Sequence, residues 1–202
     1  MKLAALITGG KDSLYSLYLA SKEYEIVKLV ALKTDPYIHV IRKQAAMMGS
    51  YLIETDDLEK TLSLLNVDGL VTGSTASTQG KMDIDSICKR LDLLYISPLW
   101  HMHPQEYVSA MLADGFEMII ASVNAHPFNR DWLGKKLTEE TLNELIELEK
   151  KYGINAAGEG GEYETLVMNC PLFIRGLEID AEPHWEDNKG HLEIQNVRLR
   201  QH

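Results

Sequence analysis

Through residue 151, short apolar runs alternate with stretches whose apolar positions recur every three or four residues. The runs at 3–8, 26–33, 51–55, 69–72, 93–96 and 118–123 predict strands, and the stretches at 13–22, 41–48, 58–65, 83–91 and 105–113 predict helices. Such alternation implies an α/β fold, a doubly wound, Rossmann-like parallel sheet covered on both faces by helices, with ligands bound at the carboxyl ends of the strands. One more helix, over about 139–151, carries its own start and stop signals. Thr138 is placed to cap it, Leu137 and Leu142 fit a hydrophobic staple, Glu139 and Glu140 complement the positive end, and Lys150, Lys151 and Gly153 close the other.

The texture then changes. Residues 172–179 alternate apolar and polar, 182–190 are turn-rich, and 192–199 alternate again, with a change of phase between Ile194 and Val197 that predicts a β-bulge. The pattern divides the chain into an α/β domain over 1–125, where a nucleotide would bind if the resemblance described below holds, and a small C-terminal region over 126–202, which that resemblance makes the substrate-binding part, ending in a β-hairpin.

Two segments stand out chemically. The first is Thr8-Gly9-Gly10-Lys11-Asp12-Ser13, set between the first strand and the first helix. Two glycines let an anion approach the backbone, and the amides and positive dipole end of the helix face it. Lys11 adds a mobile positive charge, and Ser13 can cap the helix or donate to a phosphate oxygen. A kinase-type or GTPase-type phosphate loop is excluded, because no glycine stands at the required spacing before Gly10. The second segment, 158–167, places Glu159, Glu162 and Glu164 among three glycines and leads into Thr165-Leu166-Val167. That composition suits holding a metal, orienting an amine nucleophile or binding a cationic group; it also suits a solvated turn.

Composition narrows the classes. The chain has 202 residues, 45% apolar, with 20 Lys and Arg against 30 Asp and Glu, for a net charge of −10. That balance argues against a broad nucleic-acid surface. The first strand follows Met1 directly and no apolar run approaches the ~20 residues of a membrane span, so a soluble, cytoplasmic protein with no membrane partner is expected. Cys88 falls with Ile84, Ile87 and Leu91 on one helix face, and both it and Cys170 read as core residues. His101 and His103 have no third ligand at a motif spacing; the metal ligands are left unassigned.

The phosphate loop resembles that of the N-type ATP pyrophosphatases, the PP-loop superfamily, with Thr8 where serine is usual. The run from Lys151 through Val167 resembles the signature of the diphthine–ammonia ligase family, as do residues 68–73, 97–100, 131–134 and 170–173. The resemblance implies that Thr8, Gly9, Gly10, Lys11, Asp12, Ser13 and Gly73 bind ATP with Mg2+. It also implies that the diphthine carboxylate of elongation factor two is adenylated, and that ammonium then displaces AMP, pyrophosphate being the other product. Lys11 and Asp12 would serve the phosphates, and at least one of Glu159, Glu162 and Glu164 would clamp or deprotonate ammonium; which one stays open. Two stretches, 34–39 and 74–81, depart from the family pattern. Rival readings are a ligase acting on another carboxylate or on tRNA, and an ATP-binding sensor without ligase activity.

Overall fold

The apolar runs form strands for the reason their composition gives: Leu, Ile, Val and Ala at successive positions fit a strand covered on both faces. The computed structural model of the chain describes residues 1–74 and 78–201, with side chains excluded at 78–82. The chain divides into two compact units, Met1–His101 and Met102–His202.

In the first unit the elements are β1 (Lys2–Leu6), α1 (Lys11–Ser21), β2 (Glu25–Leu32), α2 (Ile38–Met47), β3 (Leu52–Thr55), α3 (Leu58–Ser63), β4 (Gly69–Val71), α4 (Thr78–Arg90) and β5 (Leu94–Ile96). The five strands pair in parallel in the order β3-β2-β1-β4-β5. This is the doubly wound α/β sheet that the alternation predicts. Strand order reverses between β1 and β4, so the loops that follow those two strands flank the crevice where such sheets bind ligands. Ala4, Val30, Leu62, Leu70 and Cys88 form one buried cluster beneath Ile84, Ile87 and Leu91. Burial first, then the nearby Asp85, pushes the Cys88 thiol up to about 11, and burial does the same to Cys170. Both thiols are core groups, inert at neutral pH.

The second unit contains α5 (Pro104–Ala113), β6 (Glu117–Val123), a short 3₁₀ turn at Arg130–Trp132, β7 (Lys136–Leu137), α6 (Glu139–Tyr152), β8 (Tyr163–Asn169), β9 (Leu177–Glu186) and β10 (Lys189–Leu199). Here the reading of 118–123 as a strand of the parallel sheet is corrected: β6 runs antiparallel to β7, β8 and β10. Periodicity finds a strand but says nothing of its direction, so residues 102–125 fall with the second unit. The hairpin is present and its bulge lies between Ile194 and Asn196, where the phase changes. Its strands are longer than expected. The turn is only Asp187 and Asn188, at φ 44° and 66°, the two positive values a tight hairpin turn needs. Pro183, within the stretch that reads as turn, sits inside β9, which is tolerated because β9 ends the sheet path. Helix α6 starts as expected, with Thr138 Oγ1 accepting the Thr141 amide at 3.3 Å, and stops at Gly153, φ 73°.

Glu117 ties this unit together. Its Oε2 accepts from Arg200 Nη2 at 2.8 Å, and its Oε1 from Arg200 Nη1 at 3.1 Å and Asn169 Nδ2 at 3.0 Å. The Arg200 guanidinium holds this carboxyl below the ordinary glutamate value of 4.5, against an opposing push from burial. A folded value below the unfolded one means stability present above that unfolded value and lost as pH falls through the folded one. Thermal melts taken from about pH 6 down to about pH 3 should therefore decline less steeply for Glu117→Gln than for the parent chain. Parallel declines would show that Arg200 does not act through this charge.

Candidate functional site

The loop after β1 is built as the sequence requires. Gly9 takes φ 77°, a value L side chains avoid, and Gly10 is the helix N-cap. Glycine has no side chain to cap with, so no N-cap side chain covers the first turn of α1, the kind of helix start that suits an anion. Ser13 does not cap either. Its Oγ donates to Gly10 O at 3.1 Å and accepts from Thr8 N at 3.1 Å and Thr8 Oγ1 at 3.2 Å, which closes the loop on itself. Lys11 is 4% exposed, and its ammonium bonds both Asp12 oxygens at 2.7 and 2.8 Å. From α2, the fully buried Gln44 donates to Gly9 O at 2.9 Å.

Gly73 follows β4 across the crevice. A Cβ built on it would lie 2.4 Å from Ser13 N and 2.6 Å from Asp12 C, so the backbone at Gly73 packs directly on the first turn of α1. In this unit the structure thus gathers Thr8, Gly9, Gly10, Lys11, Asp12, Ser13 and Gly73 around one helix N-terminus. Of the two divergent stretches, 34–39 enters α2, with Asp35 Oδ1 accepting the Tyr37 amide at 2.8 Å. In the other, 74–81, residues 75–77 and the side chains from 78 on lie outside the described residues.

In the second unit the glycine-rich segment is an ordered loop between α6 and β8. Gly158 and Gly161 have φ 73° and 81°. Asn155 folds the chain by an Asx turn, its Oδ1 accepting the Ala157 amide at 2.8 Å. Glu162 Oε1 accepts the Asn155 amide at 2.8 Å, while its Oε2 is buried with no hydrogen-bond partner. Glu159 accepts from Tyr107 OH at 3.1 Å and from Asn155 Nδ2 at 3.3 Å. Glu149 of α6 holds the other side, accepting the Ala156 amide at 2.9 Å and Gln105 Nε2 at 2.8 Å. Glu164 is different: it is exposed, on β8, and accepts from Ser122 Oγ at 3.1 Å. Thr165 is buried and faces the other way.

Sequence reasoning missed Gln44, Tyr107, Glu149, Asn155 and Ser122. Asn155 carried a signal, since an Asn shortly before a glycine favours a turn; Gln44, Tyr107 and Ser122 act on partners 35 to 52 residues away, and Glu149 joins Ala156, seven residues on, to Gln105, 44 residues back. Among the described residues no group of three or more His, Cys, Asp or Glu converges as a metal would require.

A glycine loop and an uncapped helix start at the switch point of a parallel sheet define a doubly wound α/β protein. The two units match the models of the diphthamide synthase N-terminal domain, over residues 1–94, and of the diphthamide synthase C-terminal domain, over residues 103–199. The curated diphthine–ammonia ligase of Rattus norvegicus is 31% identical over 224 residues, covering 90% of this chain and 84% of that one. That of Homo sapiens is 30% identical with the same coverage. The protein of that name from Schizosaccharomyces pombe is 30% identical over 94% of this chain but 38% of its own length. The chain belongs to the diphthine–ammonia ligase family.

Proposed function

We propose that this chain is an ATP-dependent amide ligase that adenylates the diphthine carboxylate of elongation factor two and amidates it with ammonium, releasing AMP and pyrophosphate. The observation that carries the reading is the loop at residues 8–13, where a helix N-terminus with no side-chain cap stands beside a nearly buried lysine, in a chain of this family. The loop amides and Lys11 would neutralise charge on the departing pyrophosphate, the largest electrostatic demand of adenylation. Asp12 holds Lys11 in place. One carboxylate is what a magnesium ion that keeps its waters and arrives with the phosphates would need; such an ion would supply further charge neutralisation. At least one of Glu159, Glu162 and Glu164 would meet ammonium, and of the three Glu164 is the exposed one. The family's amidation of a cytosolic factor makes the cytoplasm the expected place of action, and among the described residues no helix is long and apolar enough to cross a membrane.

The test is formation of AMP and pyrophosphate from ATP, ammonium and magnesium with diphthine-bearing elongation factor two. Product that depends on both acceptor and ammonium is expected. Tight ATP binding without turnover would sink the ligase reading in favour of a sensor.

A further inference from the structure

The strand end that carries Gly73 is held by hydroxyl groups. β4 ends at Val71 and β5 at Ile96, and the backbone bond from Thr72 N to Ile96 O, 3.0 Å, continues their ladder one step further. Gly73 comes next, and side chains then take over on either side of it. Thr72 Oγ1 donates to Ser74 Oγ at 3.2 Å. A threonine hydroxyl has a single proton, so in the 2.9 Å bond between Thr72 Oγ1 and Tyr95 OH the phenol is the donor. Ser97 Oγ donates to Ser74 O at 2.5 Å. Tyr95 on β5 and Ser97 just past it thus each hold one neighbour of Gly73, the first through Thr72 and the second through Ser74.

The two hydroxyls that meet across Gly73 lie on one side of the chain, so its bare side faces the other way, toward α1. There a Cβ would stand 2.4 Å from Ser13 N and 2.6 Å from Asp12 C. The backbone at Gly73 is therefore held from β5 on one side and set against the first turn of α1 on the other. Burial stiffens the hold. Thr72 is buried, the Tyr95 side chain packs on the cluster of Val30, Leu62, Leu70 and Cys88, and hydroxyls linked in series away from water polarise and strengthen one another. The other supports of the phosphate loop act elsewhere: Ser13 on Thr8 and Gly10, and Gln44 on Gly9.

We propose that Tyr95 and Ser97 are positioning residues for the phosphate loop: they fix Gly73 against the first turn of α1 and so set the place of the amides that receive the phosphates of ATP. Neither side chain touches the nucleotide. The inference rests on the reading of the loop as an ATP site and is the same whatever carboxylate is activated. Amides aimed at charge act most strongly when they need not move to meet it. A strand end free to draw back from α1 would let the first turn follow it, and small misplacements of such donors are costly.

The experiment is titration calorimetry of the full chain with ATP and magnesium, beside thermal melts. Tyr95→Phe keeps the packed ring and removes only the phenolic oxygen; Ser97→Ala removes the second hydroxyl, and Ser97→Thr puts one back. ATP affinity should fall about 3- to 10-fold in Tyr95→Phe and in Ser97→Ala, the range of one hydrogen bond, and Ser97→Thr should recover it. In turnover the KM for ATP should rise by the same factor while the KM for ammonium stays put. Combination with Gly73→Ala tests whether the hydroxyls act through Gly73: in that background Tyr95→Phe should cost little more, because the approach it maintains is already lost. Unchanged ATP affinity in folded Tyr95→Phe and Ser97→Ala proteins, even with lowered melting temperatures, would make the hydroxyls supports of the sheet alone and overturn the proposal. Losses that add in full to that of Gly73→Ala would overturn it as well. A parent chain that binds no ATP would instead remove the reading of the loop, and this inference with it.

Discussion

Gly73→Ala should cost the enzyme about 10²-fold or more in ATP-dependent turnover while the second unit stays folded. The added methyl carbon would lie 2.4 Å from Ser13 N and 2.6 Å from both Asp12 C and Ser13 Cα. All three are main-chain atoms at the start of a helix, so no side-chain rotation relieves the overlap. Either the strand end after β4 moves back or the first turn of α1 moves away. Overpacking of this kind costs about 1–3 kcal/mol of stability. The larger loss is in function, because a shift of about 1 Å displaces the amides that would face the phosphates. Titration calorimetry with ATP, beside circular dichroism for the fold, measures both. Unchanged ATP affinity in a folded Gly73→Ala protein would mean that this approach does not position the loop.

Lys11→Ala should lower acceptor-dependent AMP formation by about 10²–10³-fold, the usual cost of removing one donor aimed at developing charge. Its effect on stability should be small by comparison. Lys11 is the first residue of α1, where its departure leaves no gap in the helix hydrogen bonds, and the Asp12 carboxylate it abandons already sits in the first turn, favoured by the dipole. Loss of activity with an unchanged melting temperature is therefore the expected pair of results. A variant equally slow and equally unstable would assign Lys11 to the fold rather than to the phosphates. Because the ammonium is nearly buried, Lys11→Met tests the same point with the aliphatic stem kept.

The local half of the first site was legible because glycines and lysine act on their own neighbours, with a turn at Gly9 and a helix start at Gly10; Ser13, read as a cap or phosphate donor, instead closes the loop on Thr8 and Gly10. The tertiary half was not. Gln44 reaches Gly9 from 35 residues away, and nothing in the helical period of α2 separates a buried glutamine that anchors a loop from one that merely fills space. The same holds for Glu149 and Tyr107, which fix the second motif from α6 and α5. Three glutamates in one short segment looked equivalent, yet two are drawn into the loop by amides and a phenol that only folding brings near. The strand at 117–123 was found but its direction was not, since an apolar run reads the same in parallel and antiparallel company. At the hairpin, acidic residues and Pro183 outweighed the alternation that continues through them, and the turn shrank to Asp187 and Asn188.

Pro183 also bears on how this chain behaves when many copies are made at once. An outermost strand of ten residues offers a row of backbone donors and acceptors to any strand that drifts past. A proline midway along β9 deletes one donor and thrusts its ring into the path of an intruder. Exposed Glu182 and Glu186 on either side add like-charge repulsion toward a second copy of the same edge. The residue that misled the reading of the sequence is the one that keeps this margin from becoming the seed of a fibre.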